Sequence, residues 1–379
     1  MKELAIFGST GSIGCSTLNV VRRHRDRFAV SILAAGRNLQ RLIEQIREFN
    51  PRHVYIIGEK DAAVLKALFP GLDIYRGEDG MDKVSRLTDF DIGVSALVGV
   101  AGLRPTWNMI NNGKTVALAN KEVLVAGGRL VMEAARKQGA ALLTVDSEHS
   151  AIMQCLRGEN HGEIERILLT ASGGPFFDRE ITDSITPDEA LRHPTWKMGP
   201  KITIDSATMM NKGFEIIEAR WLFDVPVERV QVVIHRQSIV HSMVEFKDGS
   251  IMANIAPPDM ELPIAYALSY PERMEMPQRL DIFAMKALEF KAPDEEKFPC
   301  LRLAKEAARA GHGAQVVLNA ANEALVARFL AGGLRFTDIP RGVEEMLRQH
   351  IPGEPGSIDE VLALDEETRH RTEEWMKTR

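Results

Sequence analysis

Cysteine is scarce in this chain, with three in 379 residues, Cys15, Cys155 and Cys300. An odd count at wide, irregular spacing excludes a disulfide framework and matches no zinc-ligand pattern. Reduced thiols in a cytoplasmic compartment are the expectation. Positive charge is not in excess either. The formal net charge is −6, which argues against a nucleic-acid partner, since a phosphate backbone calls for a basic field. Local basic groups can still hold a small phosphate. No apolar stretch reaches the roughly 18 residues needed to span a bilayer, and a strand pattern begins by residue 4 with no basic-then-apolar leader. Neither membrane insertion nor a signal or transit peptide is expected. Internal repeats and low-complexity tracts are absent. What remains is ordinary globular composition, 45% hydrophobic and 26% charged, with length for two or three domains and a core that needs no staples.

Residues 1–146 alternate β-branched runs with helical patterns. The strand candidates are 4–8, 29–36, 53–58, 91–98, 115–120 and 141–146, with helical stretches such as 39–49 between most of them. That alternation predicts βαβ units and a parallel sheet covered on both faces. Over 147–270 the pattern changes to closely spaced strands (165–172, 230–235, 242–246, 251–255), an α+β domain with a mixed or antiparallel sheet. Residues 271–298 are rich in Pro and charge and read as a linker. Residues 299–379 are helical, with a capping-box pattern at Ser357–Glu360 and Thr337 as a candidate cap.

Gly8-Ser9-Thr10-Gly11-Ser12-Ile13-Gly14 follows the first strand and opens the first helix. Glycines permit the tight turn and let phosphate oxygens approach backbone amides, and the helix N-terminus adds partial positive charge. A glycine motif alone is weak, but strand, helix and βαβ context all surround this one. The fold expected of residues 1–146 is therefore a Rossmann-type dinucleotide domain. After the second strand, where a carboxylate would bind the ribose of NAD, stands Gly36-Arg37-Asn38. Arg37 is placed to meet a 2′-phosphate, which favours NADP; a solvated arginine is the competing reading.

Residues 193–215 pack His, Trp, Lys, Asp, Ser/Thr clusters, Asn and Glu together with little apolar periodicity. They read as a site: a mobile aromatic flap around Trp196, between Pro194 and Pro200, then donors for an anion, then a carboxylate, Glu215, opening a helix. Trp196 as a satellite core anchor is the rival reading. Ser206, Asn211 and Lys212 suit a phosphate, with helix capping the alternative for the first two. Ser172-Gly173-Gly174 follows a strand as an anion-cradling turn would. His193 and His241 are candidate substrate contacts. Asp146-Ser147-Glu148 ends the sixth strand pattern, and in an extended segment its two carboxylates would point the same way and repel without a cation between them. With Glu215 as a third oxygen ligand and no Cys, a hard ion such as Mg²⁺ or Mn²⁺ fits better than zinc. A capping role for Asp146 or Ser147 competes, His149 is a further possible ligand, and spacing does not select the third ligand.

The segments 8–14, 118–122, 145–151, 172–176, 193–215 and 240–243 resemble the signatures of the 1-deoxy-D-xylulose 5-phosphate reductoisomerase family; 257–264 and 318–323 match more loosely. The likeness runs from residue 4 to at least 330. It implies an NADPH-dependent oxidoreductase of the non-mevalonate isoprenoid pathway that rearranges and reduces 1-deoxy-D-xylulose 5-phosphate to 2-C-methyl-D-erythritol 4-phosphate. It implies Asp146, Glu148 and Glu215 as ligands of Mg²⁺ or Mn²⁺, with Co²⁺ possible, and Lys121 as a lysine near nicotinamide and substrate. Ser147, Ser172, Ser206, Asn211 and Lys212 become substrate and phosphate contacts, His241 a pocket residue, and His193, Trp196 and Met198 the closing loop. Asn120, Lys121, Glu122 and Gly199 join the glycine loop and residues 36–38 as cofactor contacts. A homodimer with a dimerisation sheet in the central domain and a C-terminal helical bundle is also implied. The sequence departs from the family pattern at Arg236 (usually Pro), Glu261 (usually basic) and Gln315 (usually Pro), and none of these is expected to touch a proposed metal or phosphate contact. The competing readings are an NADP-dependent dehydrogenase of the homoserine or semialdehyde type, which needs no metal, and a non-catalytic NADPH sensor.

Overall fold

The computed structural model describes residues 1–378. The chain folds into two compact units, one holding Met1–Val123, Val131–Ser150 and Asp259–Pro277, the other Leu124–Leu130, Ala151–Pro258 and the chain from Gln278 onward.

In the first unit the strands are β1 (Lys2–Phe7), β2 (Phe28–Ala35), β3 (His53–Ile56), β4 (Asp73–Arg76), β5 (Ile92–Ser95), β6 (Thr115–Leu118) and β7 (Leu142–Thr144). They form one parallel sheet in the order β4-β3-β2-β1-β5-β6-β7. Leu4, Ala5, Ile6 and Phe7 of β1 are all fully buried, because a parallel sheet covered by helices has no solvent face to alternate with. The six expected strand patterns are all strands. β4 escaped the sequence reading: it has four residues, charged at both ends and exposed there, at the sheet's edge. Strand order reverses between β1 and β5, which is where open α/β sheets place ligands.

Residues Asp259–Pro277 belong to this unit through the helix Glu261–Ser269, which packs on the helix Ser12–Arg23. Glu261, the acidic departure, starts that helix. It accepts from Asn19 Nδ2 at 2.9 Å and pairs with Arg23. A carboxylate there suits both the helix N-terminus and the partner cation.

In the second unit β8 (Ile164–Ala171), β9 (Val230–Ile234), β10 (Val240–Phe246) and β11 (Ile251–Ile255) form a mixed sheet, ordered β11-β10-β8-β9. β8 and β9 are parallel, and β10 is antiparallel to β8 and β11. The helices Pro299–Ala310, His312–Leu330, Asp338–Arg348 and Ile358–Met376 follow. Their core contains an aromatic chain, Phe176–Phe336–Phe329, with edge-on rings 5.2 and 5.6 Å apart. Ser357 caps the last helix, accepting from Glu360 N at 3.2 Å. Thr337 does not cap with its side chain: its hydroxyl turns instead to Asp183. Gln315 lies one turn inside its helix and accepts from Trp221 Nε1 at 3.3 Å, a bond proline could not make.

Candidate active site

The glycine loop joins β1 to the helix Ser12–Arg23. Gly8 has φ +99°, and a Cβ on it would lie 2.3 Å from the Ala96 carbonyl oxygen. A Cβ on Gly14 would lie 2.3 Å from the Gly8 carbonyl oxygen. Both positions therefore exclude any side chain. Gly11 caps the helix without a side chain, so the first N–H groups of the helix keep their donors for another partner. Thr10 and Ile13 are half-buried and Ser12 is exposed, while the Ser9 hydroxyl is buried without a hydrogen-bond partner. Gly36, Arg37 and Asn38 are exposed at the end of β2. Asn38 also has a structural task, accepting from Arg41 N at 3.1 Å to cap the helix Leu39–Phe49. Arg41 escaped the sequence reading. It donates to the Thr10 carbonyl at 3.2 Å, bringing a second guanidinium to the loop. Its spacing three after a cap residue is the signal that could have found it.

Asn120 uses its whole amide: Nδ2 donates to the Leu97 and Gly99 carbonyls at 2.5 and 2.9 Å, and Oδ1 accepts from Val123 N at 3.2 Å. Lys121 and Glu122 follow it, both buried. Lys121 forms an ion pair with Asp146. The other Asp146 oxygen accepts from Glu148 N at 3.2 Å and His149 N at 3.4 Å, and lies 3.1 Å from His149 Nδ1. The expectation of an extended Asp146–Glu148 segment fails, because β7 ends at Thr144 and a helix begins at Ser147. Asp146 does cap that helix. The turn still brings the two acids together, with carboxylate oxygens of Asp146 and Glu148 within 4.8 Å. Ser147 Oγ donates to Glu148 at 2.5 Å.

In the second unit the run 193–215 is more helical than its composition suggests. Helices span Pro200–Ala207 and Met210–Phe223, joined through Met209 at φ +62°. Ser206 sits at the end of the first. Asn211 and Lys212 lie inside the second, in the first turn, and Glu215 one turn on, not at its start. Glu215 is 1% exposed. It accepts from Asn211 Nδ2 at 2.6 Å and Lys212 Nζ at 2.5 Å. These are the i−4 and i−3 neighbours a helix places over one position. Lys212 is buried rather than on the surface, and Asn211 Oδ1 is buried without a partner.

Ser172 follows β8, and Gly173 and Gly174 take φ +79° and +65°. A Cβ on Gly174 would lie 2.6 Å from the Ser206 carbonyl oxygen, so the turn sits against the end of the Pro200–Ala207 helix. Ser172 Oγ accepts from Gly174 N at 3.2 Å and lies 3.0 Å from His193 Nε2. His193 Nδ1 accepts from Trp196 N at 2.8 Å and Thr195 N at 3.2 Å. Nδ1 is thus an acceptor and Nε2 carries the proton, an assignment made from the network. Ser172 receives two hydrogen bonds and keeps its own proton to give. Residues 191–199 carry no helix or strand. Within them Trp196 and Met198 are half-buried and Gly199 is exposed. The Trp196 ring lies 6.4 Å from that of His241, whose Nε2 is 3.3 Å from the Pro257 carbonyl. One further group escaped the sequence reading. Asp205, 1% exposed, binds Lys201 at 2.7 Å and Asn322 Nδ2 at 2.8 Å, tying the Pro200–Ala207 helix to His312–Leu330. Arg236, expected to touch no phosphate contact, instead reaches the carbonyls of Ser172 and Gly174, because it follows the end of the strand paired beside β8.

Comparison with known proteins fits both units. Residues 4–128 match the family model described as 1-deoxy-D-xylulose 5-phosphate reductoisomerase, 142–223 that family's C-terminal domain, and 255–371 the DXP reductoisomerase C-terminal domain. The reductoisomerase of Prosthecochloris aestuarii is 52% identical over 370 residues, 96% of this chain and 97% of its own. That of Shouchella clausii is 48% identical over 374 residues, 97% and 99% of the two chains. A crystal structure of DOX-P reductoisomerase in complex with NADPH, fosmidomycin and magnesium superposes with TM-score 0.94 at 40% identity, covering 100% of this chain and 98% of the other. The enzyme from Zymomonas mobilis in complex with NADPH gives 0.92 at 42%, covering 100% of both. The relatives' full length is matched, which sets the homoserine-type dehydrogenase and sensor readings aside. The chain belongs to the 1-deoxy-D-xylulose 5-phosphate reductoisomerase family.

Proposed function

We propose that this chain is an NADPH- and divalent-metal-dependent enzyme that rearranges and reduces 1-deoxy-D-xylulose 5-phosphate to 2-C-methyl-D-erythritol 4-phosphate. Full-length similarity to named reductoisomerases is the observation that carries the reading. The residues present fit both groups the reaction needs. A dinucleotide's phosphates suit a loop that a Cβ at Gly8 or Gly14 would fill, beside the orphaned Ser9 hydroxyl. A hard divalent ion suits an all-carboxylate donor set, Asp146, Glu148 and Glu215. Asp146 and Glu215 are each paired with a buried lysine ammonium. When bound, the metal supplies Lewis acidity toward the sugar's carbonyl and hydroxyl oxygens, and NADPH supplies the two electrons of the reduction.

The chain's own groups do the rest. Gly8–Gly14, Gly36, Arg37, Asn38, Asn120, Lys121, Glu122 and Gly199 hold the cofactor, with Arg37 meeting the 2′-phosphate. Ser172 donates a hydrogen bond to the substrate phosphate, and Ser206, Asn211 and Lys212 complete that seat. Lys212, buried beside Glu215, brings a positive charge to that seat. Ser147 and His241 contact the sugar. Lys121 orients the substrate beside the nicotinamide. His193, Trp196 and Met198 close over the bound sugar and exclude water, which strengthens every charged contact inside.

A homodimer is the proposed assembly, since the edge strand β11 exposes Ile251, Met252 and Ile255. The cytoplasm is the proposed compartment, since all three thiols are free. Among the described residues no helix is long and apolar enough to cross a membrane.

The test is NADPH oxidation with 1-deoxy-D-xylulose 5-phosphate. We expect turnover that EDTA abolishes and Mn²⁺ restores. Turnover indifferent to chelation, or none with this sugar, would overturn the assignment.

A further inference from the structure

At position 236, where the family pattern has proline, this chain has arginine. Arg236 Nη1 donates to the Ser172 carbonyl at 2.8 Å and to the Gly174 carbonyl at 2.7 Å. These are the two ends of the glycine turn. The guanidinium lies 3.5 Å from the Asp178 carboxylate and 5.8 Å from the Phe177 ring centroid. The same ring approaches the Cβ position of Gly173 to 3.0 Å. One guanidinium therefore braces both ends of a turn whose two glycines hold positive φ, where backbone freedom is greatest.

Each contact has a distinct consequence. The Ser172 carbonyl shares its peptide with the Gly173 N–H. A charged donor on that carbonyl polarises the peptide and makes the N–H a stronger donor to an anion. The Gly174 carbonyl shares its peptide with Pro175, which has no N–H, so that contact fixes shape alone. Fixing shape keeps the Ser172 hydroxyl where Gly174 N and His193 Nε2 reach it. The cation also lies beside the turn, offset only in part by Asp178, itself 62% exposed.

We propose that Arg236 is a positioning residue for the substrate phosphate: it clamps the Ser172–Gly174 turn in its anion-receiving form and raises this chain's affinity for a phosphate monoester. The proposal rests on the reading of Ser172 as a phosphate contact. The test uses the full-length enzyme with Arg236→Ala, Arg236→Lys and, as a control on that reading, Ser206→Ala. It measures kcat, KM for the sugar phosphate, inhibition by inorganic phosphate competing with substrate, and NADPH affinity. In Arg236→Ala, KM and the phosphate inhibition constant both rise roughly ten-fold, while kcat stays within about threefold and NADPH affinity is unchanged. Arg236→Lys recovers part of both losses, since an ammonium keeps the charge but not the fork. If phosphate inhibition weakens in Ser206→Ala but not in Arg236→Ala, the clamp is wrong and the phosphate seat stands. If neither variant changes it, both are wrong. A lowered unfolding temperature with unchanged KM and phosphate inhibition would make Arg236 a stability residue only and overturn the proposal. Should the alanine variant fail to fold, the lysine variant decides on the same joint shift.

Discussion

Each unit contains a glycine turn at the end of a β-strand, and the two are built differently. The loop after β1 is a backbone device. At Gly8 and Gly14 an added Cβ would lie 2.3 Å from a carbonyl oxygen, and the donors on offer are main-chain amides at a helix start. The turn after β8 is scaffolded by side chains. Gly173 and Gly174 supply the bend, but His193 holds the Ser172 hydroxyl and Arg236 holds the carbonyls. A dinucleotide presents the same pyrophosphate to every such loop, so main chain suffices. In the proposed reading of the second turn, a small sugar phosphate offers less surface, and its seat is shaped by groups brought from a distant strand end and a loop.

The largest expected effect tests whether the second unit's acids are chemical rather than structural. Glu215→Gln keeps the shape and the Asn211 contact but removes a charge. We expect turnover to fall about a thousandfold at limiting Mn²⁺, from several kcal/mol of lost charge stabilisation, with NADPH affinity retained. An unchanged rate would remove Glu215 from the metal site. Next, paired substitutions break one turn at a time. Gly14→Ala meets backbone at 2.3 Å, and Gly174→Ala meets it at 2.6 Å with φ +65°. The first should weaken NADPH binding roughly a hundredfold and spare phosphate inhibition. The second should raise the substrate KM about ten-fold or more and spare NADPH. If either change crosses over to the other ligand, the two turns are not independent devices. The smallest effect concerns the rim of the first loop. Arg37→Ala should lower the preference for NADPH over NADH about ten-fold in the ratio of specificity constants. No change would pass that role to Arg41, which donates to Thr10.

The same contrast governs what was legible in the amino-acid sequence. The first unit's strands stood out because both faces are buried and the runs are continuously apolar; only the exposed, charged edge β4 was missed. The glycine loop was legible because its requirement is a missing Cβ, and a missing Cβ is a residue type. Helix 200–207 was not legible, and helix 210–223 was read as opening only at Glu215, about a turn late. Phe214, Ile216, Ile217 and Ala219 are all at most 1% exposed, so apolar residues ring the helix and no 3.6-residue stripe survives. The helix start then went unseen, and with it the stacking of Asn211 and Lys212 over Glu215. Asp146 and Glu148 were singled out on the wrong geometry, since a cap turn, not a strand, brings them together. The bonds of Arg236 to the glycine turn and of Asp205 to Asn322 join residues 62 to 117 positions apart in the chain, and no local pattern encodes those.

His193 has a consequence of its own. One imidazole edge receives the main-chain amides of Thr195 and Trp196 while the other edge holds the Ser172 hydroxyl. With Ser172 as the proposed phosphate contact, occupancy of that seat and order in the 193–199 segment would be coupled, and thermodynamic reciprocity would make the coupling equal in both directions. Whatever fraction of binding energy a phosphate spends stilling that segment is returned to it as slower escape, so a substrate lacking its phosphate should meet a restless gate rather than merely a weaker grip.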